Sequence, residues 1–422
     1  MVIFCFLLFL ALGIPIAFVL GLDSLVFISM NKLSFFLVPQ RMFAFLDSFV
    51  MIAIPCYMLT GTLMTYGGLT NRLVKFFLLL VGHIRGSLAI VNVLASMVFA
   101  GIQGSASADT AAIGGVLIPT MKKAGYSSEV SAAVTAASST IGPIIPPSII
   151  FVIYAITANT SIGALFLGGV VPGILLGLTL IIAIVFIGKR QNWEKNPIRA
   201  PFREVLACMK DVILALIAPL IIIGGILTGI VTPTETAVIA VLYSFICAAF
   251  VFKEIILSDL PKILLETAIL SGGIMIIVGM SGIFSWVLTY MQVPRMVSEA
   301  MMGITDNPIL ILLIMNIILL FAGTFFEAVS SIVVFTPIFL PIAMKIGLDP
   351  IHFGVMMVFN LNIGLITPPV GSCLYIAAGI AEIKFEQLVR AIFPYLLILI
   401  FVLLLITFYP PLATTLPRIL LK

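Results

Sequence analysis

Charged residues are scarce in this sequence. Of its 422 residues only 9% are charged and 62% are hydrophobic, whereas soluble domains carry about 25% charged residues. So few charges cannot cover the surface of a water-soluble protein of this size. The apolar residues occur in blocks of about 20, which disfavours the alternating segments of a membrane β-barrel. The composition therefore predicts an all-α polytopic membrane protein.

Histidine, cysteine motifs and nucleotide-binding motifs are rare or missing. Neither His83 nor His352 has a metal-ligand neighbour in the sequence, and the five cysteines lack CxxC spacing. The sequence contains neither a Gly-x-x-x-x-Gly-Lys-Ser/Thr phosphate loop nor a Gly-x-Ser-x-Gly elbow. A net charge of +4 is too small to suggest a nucleic-acid partner. We therefore expect no enzyme activity, no ATP drive and no cofactor apart from a coupling ion.

Ten apolar stretches are long enough to cross a bilayer. They lie near residues 2–20, 23–39, 46–66, 126–158, 164–188, 212–231, 235–252, 266–291, 351–380 and 388–415. Two further apolar stretches, 87–121 and 306–344, are interrupted midway by polar or glycine residues. Each interruption predicts two half-length helices that enter and leave the membrane on one side, which is a re-entrant hairpin.

The basic residues predict the orientation of these spans. If the hairpins do not cross, fifteen of the 21 Lys and Arg residues fall on one side, which identifies that side as cytoplasmic. The other six are Lys32, Arg41, Arg295, Lys345, Arg418 and Lys422. Both termini are then expected on the non-cytoplasmic side.

The second half of the sequence repeats the first with an offset of 222 residues. The aligned pairs include Gly101 and Gly323, Lys123 and Lys345, Gly142 and Gly364, and Pro146-Pro147 and Pro368-Pro369. Each half holds five spans plus one re-entrant hairpin, and an odd number of crossings turns the second copy upside down. The sequence thus predicts an inverted-topology repeat, which is typical of alternating-access carriers.

Polar breaks inside the apolar stretches mark candidate binding sites. They lie at residues 101–110, 138–143, 323–327 and 360–367. Irregular backbone at membrane depth must be buried in protein or line a cavity. Carbonyls freed by proline, together with Ser, Thr and Asn oxygens, suit a hard monovalent cation, and helix N-termini attract an anion. We expect a cation site in each half with an anionic substrate between them.

Asp109 and Glu327 lie at the two hairpin tips. An acid at the centre of a bilayer costs about 2.5–3.5 kcal/mol, so both are functional candidates. Other interpretations stay open. The small residues of 101–115 could serve only close helix packing, the two acids could cap the second hairpin arms, and they could carry protons instead of contacting Na⁺.

Four motifs resemble the large membrane subunit of a TRAP (tripartite ATP-independent periplasmic) transporter. They are Gly104-Ser-Ala-Ser-Ala-Asp-Thr-Ala-Ala-Ile-Gly114, Lys122-Lys-Ala-Gly-Tyr126, Ile144-Ile-Pro-Pro-Ser148 and Thr232-Pro-Thr-Glu235. The resemblance covers essentially the whole chain. It implies Na⁺-coupled uptake of an organic acid such as sialic acid or a C4-dicarboxylate across the bacterial inner membrane. The implied partners are a small four-helix membrane subunit and a periplasmic binding protein, and both termini are expected in the periplasm.

The resemblance also implies an elevator mechanism, in which the hairpins and broken spans move against a static scaffold. The scaffold spans are expected at 1–86 and 212–305 and the transport-domain spans at 87–188 and 306–422, with a cytoplasmic linker at 189–211. The implied first sodium site comprises Gly101, Ser105, Ser107, Asp109, Ser139, Thr140 and Gly142. The implied second sodium site comprises Gly323, Thr324, Glu327, Asn362, Gly364 and Thr367. Candidate substrate contacts are Gln103, which departs from the small residue expected before the tip, together with Ser105 and Asn362.

Three other functions remain open at this point. A stand-alone Na⁺- or H⁺-coupled organic anion symporter of the same inverted-repeat superfamily would need no binding protein. An ion channel would need a continuous polar path, whereas the polar clusters here are local and paired. A membrane enzyme is the most distant alternative, because no nucleophile and base pattern is visible in the sequence.

Overall fold

The computed structural model describes residues 2–191, 193 and 201–421, and the regular structure of this part of the chain is helical. The first half forms α1 (Val2–Ala11), α2 (Ile16–Met30), α3 (Leu37–Leu46), α4 (Ala53–Tyr66), α5 (Leu69–Val81), α6 (Ser87–Gln103), α7 (Ala106–Lys123), α8 (Ser128–Ser139), α9 (Ile149–Ala158) and α10 (Ile162–Arg190). A 3₁₀ turn, Phe49–Ile52, leads directly into α4.

The second half forms another ten helices. They are α11 (Phe202–Thr228), α12 (Pro233–Ile246), α13 (Leu260–Tyr290), α14 (Val293–Ile304), α15 (Pro308–Phe325), α16 (Ala328–Lys345), α17 (Pro350–Gly364), α18 (Ser372–Ala381), α19 (Phe385–Phe408) and α20 (Pro411–Leu420). A π-helical turn, Cys247–Val251, extends α12. Of the predicted linker 189–211, residues 192 and 194–200 lie outside the described residues, and α11 already begins at Phe202.

The helix bounds follow the repeat found in the sequence. Both ends of α16 lie 222 residues after the ends of α7, and α5, α6, α8, α9 and α10 correspond in the same way to α14, α15, α17, α18 and α19 within a few residues. The helices α7 and α16 are both followed by a glycine with positive φ, Gly125 and Gly347, which is a common way to end a helix. The two halves therefore share one local fold.

Four predicted spans differ from the structure. The continuous span 2–20 is wrong, because the chain breaks after Ala11 around Gly13 and Pro15, which separates α1 from α2. The span 23–39 is also wrong, because α2 ends at Met30 and α3 has no buried residue. The long spans 126–158 and 351–380 are each two short helices, interrupted at 140–148 and 365–371, where the sequence places its polar residues and double prolines.

Within the described residues, seven helices are long and apolar enough to cross a membrane, or eight if the bent α11 is counted as one span. They include α10, α13 and α19, and also both arms of the second hairpin, α15 and α16. Length and composition therefore do not distinguish a re-entrant second hairpin from two complete spans. The re-entrant form stays a prediction. The start of α12 is as expected, because Thr232 and Glu235 form a capping box.

Each hairpin packs against a broken span of the other half. The arm α7 contacts α18, and the corresponding arm α16 contacts α9. Lys122 on α7 donates a hydrogen bond from Nζ to the Ala381 carbonyl at the end of α18 (2.9 Å). The Tyr154 hydroxyl on α9 donates to the Pro350 carbonyl at the start of α17 (2.8 Å). This exchange brings the four breaks of the two halves into one core.

Candidate functional site

The first hairpin tip is pressed against the break after α8. Ser105 is the N-cap of α7, and Gly104 before it has a positive φ of 61°. A Cβ on Gly104 would lie 2.6 Å from the Pro147 carbonyl oxygen, and one on Gly142 would lie 3.3 Å from the Ser105 carbonyl oxygen. Glycine is therefore required at position 104, whereas Gly142 marks a close but less restrictive contact.

Asp109 points away from the tip into a buried polar network. The Ser96 hydroxyl on α6 donates to Asp109 Oδ2 (2.8 Å) and lies 3.2 Å from the Ser138 hydroxyl on α8. Ser105 rather than Asp109 caps α7, since its hydroxyl accepts from the Ala108 amide. Asp109 is 1% exposed, and its Oδ1 has no hydrogen-bond partner among the described residues. A buried carboxylate oxygen without a partner is a ready ligand for a cation or a proton.

The hydroxyl groups at the break after α8 keep lone pairs available. Ser139 donates to the Thr135 carbonyl (2.8 Å), and Thr140 donates to the Ala137 carbonyl (2.7 Å). Each hydroxyl hydrogen is thus used within the helix, and the oxygen can still accept from a donor or coordinate a cation. Ser139 also lies within hydrogen-bonding reach of Asp109. The structure therefore brings Ser139 close to Asp109, and Gly142 close to Ser105.

The second hairpin tip meets the break after α17 through two glycines. A Cβ on Gly364 would collide with the backbone of Gly323 at the end of α15. Thr324 and Thr367 donate to the Phe321 carbonyl (2.8 Å) and the Ile363 carbonyl (2.7 Å), although the repeat places Ile102 and Ile145 at the equivalent positions of the first half. Asn362 is fully buried, and neither atom of its amide group has a partner in the described part of the chain. These oxygens have the chemistry of a hard-cation site.

A cavity of about 60 Å³ lies where the two tips meet. Ser105 and Ser107 from the first tip and Glu327 from the second line it, and Met58 of α4 contributes to the wall. Glu327 occupies the N-cap position of α16 but makes no side-chain cap hydrogen bond. The N-terminus of α7 and one carboxylate thus face the same small space.

Two predicted residues lie on the rim of this arrangement. Gln103, the last residue of α6, packs on α4, since a Cβ on Gly61 would lie 2.9 Å from Gln103 Cγ. Its Oε1 is buried without a hydrogen-bond partner among the residues described. Gly101 faces the double proline, because a Cβ there would lie 3.5 Å from the Pro146 carbonyl oxygen.

Sequence reasoning missed Asn92, Ser96 and Asn316, which support the polar breaks that it had marked. In the first half, Asn92 Nδ2 donates to the Thr135 hydroxyl (2.7 Å), and Ser138 donates to Asn92 Oδ1 (3.0 Å). In the second half, Asn360 Nδ2 donates to Asn316 Oδ1 (2.7 Å). Asn92 and Ser96 are four residues apart on the apolar helix α6, so they lie on one face of it. This polar pair in an apolar helix was the signal in the sequence that could have identified them.

The overall fold is similar to that of a transporter of known structure. The crystal structure of the Alcanivorax borkumensis YdaH transporter, described as having an unusual topology, matches with a TM-score of 0.65 at 16% identity over 89% of this chain and 88% of that chain. The family model of the tripartite ATP-independent periplasmic transporter, DctM component, matches residues 3–412. The chain belongs to this family, which confirms the resemblance read from its motifs.

Curated relatives place the chain among the large permease proteins of these transporters. It is 39% identical over 410 residues to the sialic acid TRAP transporter large permease protein SiaM of Vibrio cholerae, covering 97% of this chain and 96% of the relative. It is 41% identical over 378 residues to the C4-dicarboxylate TRAP transporter large permease protein DctM of Pseudomonas aeruginosa, covering 90% and 88%. The protein is therefore a multi-pass inner-membrane permease subunit of a tripartite transporter.

Proposed function

We propose that this permease couples the entry of Na⁺ to the uptake of an organic acid that a periplasmic binding protein delivers. One observation supports the proposal above all. Two hairpin tips face one cavity. Hydroxyls that have already donated their hydrogens lie at both breaks, in Ser139, Thr140 and Thr367, and at the second tip, in Thr324. Oxygens with free lone pairs on both sides of the cavity suit two Na⁺ ions, with the substrate between them.

The lining of the cavity suggests how the substrate is held. The first turn of α7 presents backbone amides to a substrate carboxylate, and the hydroxyls of Ser105 and Ser107 add further donors. Glu327 can accept hydrogen bonds from substrate hydroxyl or amine groups. Sites for small organic ligands commonly enclose about 300–1,000 Å³, so the cavity of about 60 Å³ must widen before substrate enters. Separation of the hairpin tips would achieve this.

The transport movement that we propose is an elevator. The hairpins and the short helices at the breaks would move as one body against the scaffold spans of 1–86 and 212–305. The inverted repeat gives each side of the membrane an equivalent gate. Each net positive charge carried inward across 100 mV contributes about 2.3 kcal/mol, so two Na⁺ ions with a monoanion would drive accumulation.

Transport by the reconstituted system tests the proposal. The permease, its small membrane subunit and its binding protein are placed in liposomes, and uptake of radiolabelled sialic acid and succinate is measured. These substrates are chosen because the two relatives are named for sialic acid and C4-dicarboxylates. We expect accumulation of one of them only under an inward Na⁺ gradient, with stimulation by an inside-negative potential.

Two results would contradict this proposal. Uptake that persists when choline replaces Na⁺ but requires a pH gradient would show proton coupling. Uptake by the permease without binding protein would favour a stand-alone organic anion symporter. A binding protein with its ligand site blocked is the matched control for the second result.

A further inference from the structure

A second and much larger cavity lies on the other side of the second hairpin. It encloses about 880 Å³ between α1, α13, α14 and the two arms of the hairpin. Phenylalanines dominate its walls. Phe6 of α1 stacks on Phe284 of α13 with ring centroids 5.6 Å apart, and it also contacts Phe326 at the hairpin tip (6.3 Å). Glu327 is the only charged residue of the lining. We call this cavity the apolar crevice.

The apolar crevice is continuous with the outer surface of the helices. Leu7, Phe321 and Phe325 contribute to its lining and are 58%, 69% and 49% exposed. In a membrane protein such apolar surface faces lipid, and lipid tails are as apolar as leucine side chains. Hydrocarbon can therefore enter the crevice from the bilayer without crossing a polar barrier.

One end of the crevice carries residues that are typical of the membrane interface. Val293 and Val297 of α14 line it, while Arg295 and Glu299 form an exposed ion pair on the other face of that helix (2.8 Å). Short helices with one apolar and one charged face lie in the membrane interface. On the adjoining α13, Trp286 contacts Tyr290, and Arg41 lies over the Trp286 ring. Tryptophan and tyrosine are enriched at the membrane–water interface.

The size of the crevice discriminates between occupants. About two turns of an α-helix would fill it, whereas a spanning helix needs about 20 residues. It is therefore too small to enclose a complete membrane helix of another subunit. Its apolar walls disfavour water and a charged organic acid, but they match a flexible hydrocarbon chain.

We propose that an acyl chain of a membrane phospholipid occupies the apolar crevice. The headgroup lies beside α14, and the chain extends past Phe284 towards Phe326. This lipid lies beside the direct contacts that the second hairpin makes with α13 and with Phe6 of α1. Both α1 and α13 are scaffold helices in the proposed elevator. The binding site itself follows from the shape and chemistry of the crevice and does not depend on the identity of the transported acid.

Photolabelling in vesicles tests this site. The full chain, together with its small membrane subunit, is reconstituted in phosphatidylethanolamine and phosphatidylglycerol vesicles that contain a phosphatidylethanolamine with a diazirine at the end of one acyl chain. After irradiation, the labelled residues are mapped by mass spectrometry. We expect label on Phe326 as well as on the exposed Phe186 of α10, and none on Phe359, which is buried in the core.

Two substitutions that fill the crevice are the matched variants. Ala322→Trp and Ala11→Trp both add bulk to its lining, and Ala11 is exposed, so the second variant does not depend on repacking the protein interior. We expect each to remove label from Phe326 and to leave label on Phe186 unchanged. Retained label on Phe186 shows that the variant is folded in the membrane.

Four results would overturn the proposal. Phe326 could be labelled no more than Phe359, or it could keep its label when the crevice is filled. Label at Phe326 that appears only when the small subunit is omitted would show that this subunit covers the crevice. Reaction of Val334→Cys, which also lines the crevice, with a charged water-soluble thiol reagent would show that water occupies it.

Discussion

Asp109 and Glu327 occupy positions that are not equivalent in the repeat. With the offset of 222 residues, Glu327 corresponds to Ser105 and Asp109 corresponds to Ser331. The backbone is the same, since the Asp109 and Ser331 amides donate to the carbonyls of Ser105 and Glu327 at 3.0 Å in both cases. One acid therefore lies behind its hairpin tip, and the other faces the cavity. The two proposed cation sites cannot be chemically equivalent.

Asp109→Asn tests the first of these positions. The substitution removes the negative charge but keeps an oxygen that can accept from Ser96. Interactions with a charged group contribute about 1.5–3 kcal/mol, so we expect the Na⁺ concentration for half-maximal uptake to rise at least about tenfold. The measurement is Na⁺-dependent uptake in liposomes.

Asp23→Asn is the matched control for this variant. Asp23 is also fully buried, but it lies on α2 in the proposed scaffold. We expect its substitution to leave the Na⁺ dependence unchanged. If Asp109→Asn shows the same Na⁺ dependence as the parent chain, Asp109 is not part of a sodium site.

At the scale of the elements, each hairpin meets a broken span without intervening side chains. The contact between Gly323 and Gly364 joins α15 to the end of α17. The corresponding contact in the first half is looser, because a Cβ on Gly142 would lie 3.1 Å or more from its neighbours. The second site is therefore more sensitive to added volume than the first.

Gly364→Ala should separate the second hairpin from its broken span. Inserting a methyl group between two backbones that already touch costs about 1–3 kcal/mol, and it displaces the oxygens of Thr324 and Thr367. We expect a lower thermal stability in detergent and loss of Na⁺-dependent uptake.

The matched control is Gly379→Ala on α18, where a Cβ would meet no atom within 4 Å. We expect this variant to be as stable as the parent or slightly more so, since alanine favours the helix. Equal behaviour of the two variants would remove the argument that the Gly323–Gly364 contact builds the second site.

Two elements were not predicted from the sequence. The helices α5 and α14 occupy equivalent places before the two hairpins, but the search for apolar stretches long enough to cross a membrane passes over them. Their charged residues, such as Arg72 and Arg295, interrupt the apolar pattern. Helical periodicity within these short segments was the signal that would have found them.

At the scale of the whole molecule, the two halves are interlocked. The arms α7 and α16 each pack on a short helix of the other half, and the cavity between the two tips is lined by residues of both halves. This arrangement agrees with a duplicated unit. The inverted-repeat proposal requires that the two copies cross the membrane in opposite directions, and an experiment must test this.

Lys123 and Lys345 provide a direct test of this direction. They are equivalent in the repeat, both are exposed, and each ends its hairpin arm. In the inverted repeat they lie on opposite sides of the membrane. We expect a membrane-impermeant thiol reagent to label Lys345→Cys but not Lys123→Cys when applied from the periplasmic side, and the reverse in inside-out vesicles. Labelling of both from one side would indicate a parallel repeat.

The sequence alone determined the class of the protein, its family and the positions of the breaks. Scarce charge, blocks of apolar residues and double prolines act locally, so they can be recognised without a fold. Only the tertiary structure decided that Asp109 bonds to Ser96, that Glu327 faces the cavity between the tips and that Gly323 touches Gly364. These contacts join residues that lie far apart along the chain or depend on how α6, α7 and α17 rotate about their axes, and local sequence patterns do not specify either.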